Sequence, residues 1–335
     1  MMIKIRRPVI KKVKWGVAGL GRYSENNFLP SIPYLTRSTL VSVFSHDEQR
    51  AKFISEKFSV PNYFFDYDEF LKSDINAVYI GSKNSDHYEQ VIKAAKAGKN
   101  ILCEKPIALT SSQAQEMVDI CKRQGVKFGI NYVHRLHPLA VKAKEILDKQ
   151  MLGKLISIVI TFNIELPPGE NFRYSKEKSG GGALRDLGTH LIDLMRYFGG
   201  EIIDITGHMD QIIYKSEVDD FASANLKFQN GGYGYFNVSF NSRLAFNKIE
   251  IVGHSGALSI ENLIGRKKHP PKLNILLEGD MRKSFRKRGN KLHFLLRSVQ
   301  RSFLNNEPMA VSGEDGLINM KLMEELERKC LPLKS

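Results

Sequence analysis

Asp186 and His190 stand four positions apart in a stretch, residues 180–200, whose apolar side chains recur at helical spacing. On a helix this spacing places a carboxylate and an imidazole on one face, one turn apart. The two groups can transfer protons if that face points into a cleft. They also fit a core helix in which the carboxylate only holds the imidazole by a hydrogen bond. The rest of the chain decides between these roles.

Lys105 is a third candidate for this chemistry. It follows an apolar run at 100–103 and precedes Pro106. An ammonium at the carboxyl end of a strand, in a partly desolvated cleft, can hold an alcohol oxygen and stabilise a developing alkoxide. A solvated surface lysine is the alternative at this position. Together with the Asp–His pair, Lys105 indicates proton handling on a hydroxyl group, provided that the fold brings the three groups together.

A glycine-rich motif follows the first β-rich run. Gly19, Gly21 and Ser24 form the pattern Gly-x-Gly-x-x-Ser, a variant of the dinucleotide-binding fingerprint. Gly19 would allow the tight turn, Gly21 would let the backbone approach a pyrophosphate, and Ser24 is small where helix and strand must pack closely. Arg22 and Tyr23 fill the variable positions, and we expect both beside the cofactor.

The residues after the second predicted strand, 40–44, bear on the choice of cofactor. NAD-binding proteins carry an acidic residue at this strand end, whereas this chain has Ser45, followed by His46 and Arg50. A hydroxyl and two potentially cationic groups suit a 2′-phosphate, although Asp47 weakens the inference. The sequence therefore favours NADP, with NAD as the alternative.

Strands and helices alternate through the first 131 residues. The predicted strands are 12–17, 40–44, 77–80, 100–103 and 127–131, and the predicted helices are 51–58, 67–72, 86–97 and 111–124. This order predicts a parallel, doubly wound sheet that binds its ligand beyond the carboxyl ends of the strands. Ser82, Asn84 and His87 follow one such end and are cofactor candidates, His87 alternatively as a helix cap. Glu104 can hold the nicotinamide ribose or pair with Lys105.

The second half reads as strands with tight turns, which predicts an antiparallel sheet. The predicted strands are 155–164, 202–208, 222–228, 232–240, 248–253 and 257–260, followed by helices over 292–303 and 315–328. We place the division between residues 1–135 and 136–335. Arg135 at this hinge and Arg173 in a polar loop are candidate substrate contacts.

Composition and charge exclude several classes. The net charge of +14 comes from two basic segments, 1–14 and 266–301, whose roles stay open, and the remaining chain is close to neutral. This uneven distribution argues against specific nucleic-acid binding, although polyanion binding remains a third reading. No apolar run has the length of a membrane span. The N-terminus lacks a signal-peptide core, and three cysteines without metal spacing favour a cytoplasmic protein.

Five blocks carry a family likeness. They are GLGRYS at 19–24, NSDH at 84–87, AGKNILCEKP at 97–106, GGGALRDLGTH at 180–190 and SGEDGL at 312–317. The chain resembles the glucose-fructose oxidoreductase, inositol dehydrogenase and rhizopine-catabolism family of NAD(P)-dependent oxidoreductases. The resemblance implies an α/β protein. A Rossmann domain with a doubly wound parallel sheet precedes an α/β domain with an open, mostly antiparallel sheet, whose outer face would make a homo-oligomer.

The resemblance also implies roles for the site. Lys105 would orient the reacting hydroxyl, His190 would act as general acid/base, and Asp186 would bind substrate or tune His190. The peptide before Pro106 is often cis in relatives, and Lys83 stands where they commonly carry proline. The implied reaction moves a hydride between nicotinamide and a secondary alcohol or ketone of a sugar, cyclitol or nucleotide-linked sugar. The alternative is a non-catalytic NAD(P)-binding regulator of the same fold.

Overall fold

Six parallel strands form the first sheet. The computed structural model describes residues 11–169, 171–265 and 269–330, so the predictions for 1–10 and 266–268 lie outside the described residues. The strands are β1 (Val13–Ala18), β2 (Ser38–Phe44), β3 (Asn62–Phe64), β4 (Ala77–Ile80), β5 (Asn100–Cys103) and β6 (Phe128–Ile130). Their order, β3-β2-β1-β4-β5-β6, is that of a doubly wound Rossmann sheet, which confirms the predicted fold class. The order in which strands are added to the sheet reverses between β1 and β4, and ligands bind such sheets at this switch point.

Helices cover both faces of this sheet. They are α1 (Leu29–Ser31), α2 (Glu48–Phe58), α3 (Tyr67–Lys72), α4 (His87–Lys96) and α5 (Ser111–Arg123), with a π-helical turn at Ser24–Phe28 and 3-10 turns at Ile32–Tyr34 and Asn84–Asp86. Asp47, Asp66 and Thr110 cap the starts of α2, α3 and α5 with their side-chain oxygens. The sequence missed β3, a three-residue edge strand with two exposed side chains, because so short a strand has no measurable period.

Helix α6 (Pro138–Asp148), which the sequence analysis did not predict, leads into the second sheet. His137 caps it by accepting a hydrogen bond from the Leu139 amide. The strands that follow are β7 (Leu155–Glu165), β8 (Ile202–Asp210), β9 (Phe221–Phe228), β10 (Tyr233–Ser239), β11 (Asn241–Gly253), β12 (Gly256–Glu261), β13 (Lys272–Leu277) and β14 (Met281–Arg286). Every neighbouring pair is antiparallel except β7 and β10, as predicted for an open, mostly antiparallel sheet.

The hairpin of β13 and β14 lies in the basic segment 266–301, where the sequence predicted no strand. Leu273 and Ile275 point inward and are buried, whereas the side chains of β14 are largely exposed. Buried and more exposed side chains alternate in β13. The cationic side chains of β14, the edge strand, hide this alternation in the sequence. Lysine and arginine on an edge strand also protect it from pairing with other chains.

Four helices complete the chain: α7 (Lys176–Ser179), α8 (Thr189–Gly199), α9 (Lys291–Asn305) and α10 (Gly313–Lys329). The expected helix over 180–200 is corrected at its start, because residues Leu184–Gly188 form a π-helical turn and α8 begins at Thr189. The leucines of the predicted stripe are buried against the second sheet. In the part of the chain that the structure describes, no helix combines the length and apolar character needed to cross a membrane.

The last two helices pack back onto the first sheet. The Phe303 ring in α9 lies 5.7 Å from Trp15 in β1, and Ser38 donates a hydrogen bond to Gln300. Ser312, the cap of α10, forms a bridge with Gly129 in β6. The two sheets are therefore fixed to each other, while the division between residues 135 and 136 stays a prediction.

Candidate active site

The glycine turn after β1 has the geometry that the fingerprint requires. Gly19 has φ +82°, and a Cβ there would lie 2.2 Å from the Ser82 backbone nitrogen. No other residue can occupy this position without moving β4's end. Ser24 closes the turn by donating a hydrogen bond of 2.6 Å to the Gly19 carbonyl. A Cβ at Gly21 would meet no atom within 4 Å, so open space lies beside the turn.

The groups after β2 are arranged around this turn. Ser45 Oγ accepts a hydrogen bond from the Asp47 amide at 3.2 Å, and the exposed His46 ring lies 5.0 Å from Phe44. Arg22 is exposed on the glycine turn itself. These side chains line the mouth of the open space, where the sequence predicted the cofactor's adenine ribose.

Arg50 is anchored more firmly than the sequence indicated. Its guanidinium donates to the Leu20 carbonyl at 3.0 and 2.8 Å and pairs with Glu25 at 2.5 Å. Glu25 also binds Lys57 at 2.6 Å, and the two cations lower the pKa of its carboxyl. Two cations share one carboxylate, so this cluster carries one net positive charge beside the glycine turn. Glu25 was not predicted because it lies one residue beyond the fingerprint, which assigns it no role.

Ser82 and Asn84 lie where β4 ends, as predicted, and both have protein partners. Ser82 Oγ donates to Gln90 Oε1 at 2.7 Å. Asn84 is buried, and its amide donates to the Ser179 carbonyl at 2.9 Å. Asn84 therefore ties the end of β4 to the end of α7, across the boundary between the two sheets.

The position of His87 argues against the predicted contact with the cofactor ribose. Its side chain is completely buried, and Nδ1 lies 3.0 Å from the Pro106 carbonyl oxygen. Burial lowers its pKa, so the ring is neutral. A fully covered ring offers no surface to a ligand, and we assign His87 a structural role beneath the Lys105–Pro106 turn. The peptide bond of that turn is cis, as the resemblance implied.

Glu104 binds protein groups other than the Lys105 ammonium. Its Oε1 accepts hydrogen bonds from Tyr79 Oη at 2.7 Å and from the amide of Asn131. Burial raises the pKa of this carboxyl. Asn131 also lies 3.4 Å from Tyr23 Oη, which brings the half-exposed Tyr23 to the same edge of the sheet. Glu104 Oε2 accepts a hydrogen bond from the Lys105 backbone amide at 3.4 Å, whereas the Lys105 ammonium binds Asp186 instead of Glu104.

Lys105, Asp186 and Arg173 form one cluster at the cleft between the sheets. The Lys105 ammonium lies 2.6 Å from Asp186 Oδ1 and 2.9 Å from the Asp186 carbonyl oxygen. Arg173 Nε donates to Asp186 Oδ2 at 2.9 Å. Burial opposes ionisation of Asp186, but the two cations outweigh it and hold its pKa well below the usual range. All three side chains keep some exposure to the cleft.

His190 lies next to this cluster. Burial and the nearby charges of Lys105 and Lys291 hold its pKa well below the usual value, against the opposing effect of Asp186. Its ring centroid lies 4.9 Å from that of His134, and Nδ1 is buried without a hydrogen-bond partner. Between Asp186 and His190, both of which the structure describes, there is no hydrogen bond, because Asp186 is directed to Lys105 and Arg173. Asp186 and His190 therefore interact only through their charges.

A remote aspartate fixes the backbone that carries Asp186. The carboxylate of Asp219 accepts hydrogen bonds from the amides of Gly182 at 2.9 Å and Leu184 at 2.8 Å, and its carbonyl oxygen accepts from Ala183 at 3.0 Å. A Cβ at Gly182 would lie 1.8 Å from the Asp219 oxygen, which explains the glycine. Three consecutive amides are thus held just before Asp186. The sequence analysis missed Asp219, since 35 residues separate it from Leu184.

Arg135 is not placed to contact substrate. Its guanidinium is buried and pairs with Asp193 at 2.6 Å and with Asp315 at 3.1 Å. Tyr197 covers the group, with its ring centroid 5.7 Å from Arg135 Cζ. Protein side chains surround the guanidinium. We therefore assign Arg135 a structural role instead of the predicted contact with substrate. This ion pair joins the end of β6 to helices α8 and α10.

Comparison with known proteins identifies the family. One family model, an oxidoreductase family with an NAD-binding Rossmann fold, matches residues 13–132. A second, the GFO/IDH/MocA C-terminal domain, matches residues 140–259. The chain belongs to the GFO/IDH/MocA family of oxidoreductases. It is therefore an NAD(P)-dependent enzyme, which supports the enzyme over the regulator that the sequence left open.

Individual relatives of this GFO/IDH/MocA member are also named as oxidoreductases or dehydrogenases. The chain is 31% identical to Oxidoreductase P35 of Formosa agariphila, over 74% of this chain and 79% of that protein. It is 27% identical to myo-inositol 2-dehydrogenase of Thermotoga maritima, over 94% and 96%. A solved structure of levoglucosan dehydrogenase with NADH and levoglucosan superposes with a TM-score of 0.87 at 20% identity, covering 95% of this chain and 97% of that one. At that identity the likeness shows the fold.

Proposed function

We propose that this enzyme transfers a hydride between nicotinamide and a secondary alcohol or ketone of a sugar or cyclitol. The observation that carries the proposal is the cluster of Lys105, Asp186 and Arg173 beside a neutral His190, open to the cleft between the two sheets. Relatives named for myo-inositol and for 1,5-anhydro-D-fructose support a polyhydroxylated, ring-shaped substrate.

The protein's own part of the reaction is proton transfer and orientation. The ammonium of Lys105 donates a hydrogen bond to the reacting oxygen and stabilises negative charge that develops there. His190, neutral because of its lowered pKa, accepts the hydroxyl proton in the oxidising direction and returns it in the reducing direction. Asp186 holds Lys105 in position through a hydrogen bond of 2.6 Å.

The residues around the glycine turn fit a dinucleotide. Open space beside Gly21 admits a diphosphate, and the Glu104 carboxylate at the same edge of the sheet suits a ribose hydroxyl. When bound, the nicotinamide supplies the hydride acceptor or donor, and the protein handles the proton. The net positive cluster of Arg50, Lys57 and Glu25, with Ser45 in place of an acid, supports NADP as the natural cofactor.

Fluorescence titration tests the choice of cofactor. We expect NADPH to bind at least about tenfold more tightly than NADH, since a 2′-phosphate gains charge-assisted hydrogen bonds. The variant Arg50→Ala narrows this difference, whereas Lys52→Ala on the exposed face of α2 leaves it unchanged. Tighter binding of NADH by the unmodified enzyme overturns the assignment.

We also propose a homo-oligomer that forms through the outer face of the second sheet, in the cytoplasm. Exposed apolar side chains support the interface, among them Tyr233, Val252 and Leu276, which border a concave region of about 610 Å³ or adjoin it on β10. Three free cysteines support a reducing compartment. Light scattering should give a multiple of the chain mass, and Val252→Arg should lower it.

Activity screening tests the reaction itself. With NADP⁺ and a panel of aldoses, anhydro sugars and cyclitols, we expect formation of NADPH at 340 nm with at least one member. The same reaction run with NADPH and the corresponding ketone should consume the cofactor. Turnover of none of these compounds in either direction, by an enzyme that binds NADPH, would contradict the proposal.

A further inference from the structure

Lys291, the first residue of α9, has an ammonium that is fixed but not neutralised. Its Nζ donates hydrogen bonds to the carbonyl oxygens of Leu263 and Gly265, both at 2.8 Å. Carbonyl groups orient an ammonium without cancelling its charge, and one of its three N–H donors is still available. Within the described residues no carboxylate lies within 4 Å of it. Burial lowers its pKa to about 8, and no acidic group opposes that shift.

The charge of Lys291 acts on the candidate active site. It lowers the pKa of both His190 and the neighbouring His134. His134 is itself buried, and its Nδ1 has no hydrogen-bond partner. The packing of α9 also places its start beside this region, because the Phe294 ring lies 6.0 Å from the ring of His137, whose backbone amide donates to the His134 carbonyl oxygen at 3.3 Å.

The charges of the cleft do not balance. Asp186 is shared by Lys105 and Arg173, so this cluster carries one net positive charge before Lys291 is counted. A partly buried ammonium without a counterion is unfavourable in a site built for a neutral sugar. A ligand that carries a carboxylate or phosphate would remove this cost and form charge-assisted hydrogen bonds.

We propose that Lys291 binds an anionic group of the substrate, a carboxylate or phosphate on the sugar ring, while Lys105 and His190 act on its hydroxyl. The inference rests on the proposed sugar oxidoreduction and narrows its substrate class to acidic sugars. The anionic group also fixes which ring hydroxyl reaches Lys105, because it anchors the far end of the molecule. Lys291 is therefore a residue that determines specificity.

The test compares matched substrates and variants. We use a neutral aldose, the corresponding uronic acid and the corresponding sugar phosphate, with Lys291→Met, which keeps the side-chain length but removes the charge. We expect kcat/KM for one of the two acidic sugars to fall by about 10- to 100-fold, mainly through KM, as for loss of a charge-assisted hydrogen bond. The value for the neutral sugar should change less than threefold. Arg297→Met, at an exposed position of α9, serves as the control.

The outcomes separate the inference from the proposed function. Equal values for Lys291→Met and the unmodified enzyme on every sugar, or a preference of the unmodified enzyme for the neutral sugar, overturn the role of Lys291. If no sugar is turned over, the uronic acid and inorganic phosphate are tested as ligands by thermal shift. A rise in Tm that Lys291→Met abolishes keeps the anion site while the reaction fails. The absence of any rise rejects the site as well.

Discussion

Two aspartates of the same helical segment, seven residues apart, have opposite environments. Asp186 meets Lys105 and Arg173 at the cleft, whereas Asp193 meets Arg135 in the interior, where only 1% of the Asp193 side chain is exposed. Both link the end of a strand in the first sheet to the same helix. The clusters differ in charge as well as in exposure, because Asp186 has two cationic partners whereas Asp193 shares the Arg135 guanidinium with Asp315.

The pKa values record this difference. At Asp186 the two cations outweigh burial, and the pKa falls. At Asp193 burial outweighs Arg135, and the pKa rises to about 6. Asp193 also accepts from Asn319, and Arg135 binds Asp315, so the interior cluster has no free valence for a ligand. The cleft cluster keeps accessible groups, which is why we assign the chemistry to it and stability to the other.

The largest expected effect is loss of activity in Lys105→Met. Without the ammonium, nothing offsets negative charge on the reacting oxygen, and we expect kcat to fall about 10³-fold or more. The Kd for NADPH and the Tm should stay close to those of the unmodified enzyme, because the cluster is partly solvated. Steady-state kinetics and fluorescence titration measure both quantities. Lys144→Met, which removes an exposed ion pair with Asp148, is the control. Full activity in Lys105→Met would assign the site elsewhere.

Arg135→Met should have the opposite effect, a loss of stability with little change in specific activity. It leaves Asp193 buried without its cation, which costs about 3–5 kcal/mol of unfolding free energy. Urea unfolding measures the loss, and the fraction that remains folded should keep its specific activity. The matched change at the cleft, Arg173→Met, should alter stability by less than about 1 kcal/mol, since its side chain is 35% exposed. If the two variants exchange these outcomes, the division between a structural and a functional cluster is wrong.

Asp219→Asn tests how the cleft cluster is held. The pKa of Asp219 is raised to about 6 by burial, so the folded chain keeps a proton that the unfolded chain releases near pH 4. The stability from this group is present below pH 4 and is lost as the pH rises through 6, by about 3 kcal/mol. We expect the variant to show a flatter stability profile between pH 4 and 7 in urea titrations. An unchanged slope would show that Asp219 does not titrate in this range.

The first sheet was predictable because its strands are continuous apolar runs, which parallel strands buried on both faces require. Residues 77–80 and 100–103 were assigned with their observed bounds. The sequence could not separate Arg135 from Arg173, since burial depends on which residues pack over each guanidinium. Asp219 and Lys291 were invisible for the same reason: each acts on groups that are distant in sequence, and its environment exists only after folding.

The smallest expected effect is a flat titration of His190. Burial and the charges of Lys105 and Lys291 hold its pKa well below the usual value, so the ring is neutral at neutral pH. Because the folded-state pKa lies below the unfolded-state value of about 6.5, the contribution of His190 to stability is present above pH 6.5 and is lost as the pH falls from there through the folded-state pKa. NMR of the imidazole carbons, assigned with His190→Asn, should show no shift for His190. In Lys105→Met the loss of one nearby charge should move its titration upward. A midpoint near 6.5 in the unmodified enzyme would mean that the cleft is more hydrated than its packing indicates, and would weaken the case for His190 as a permanently available base.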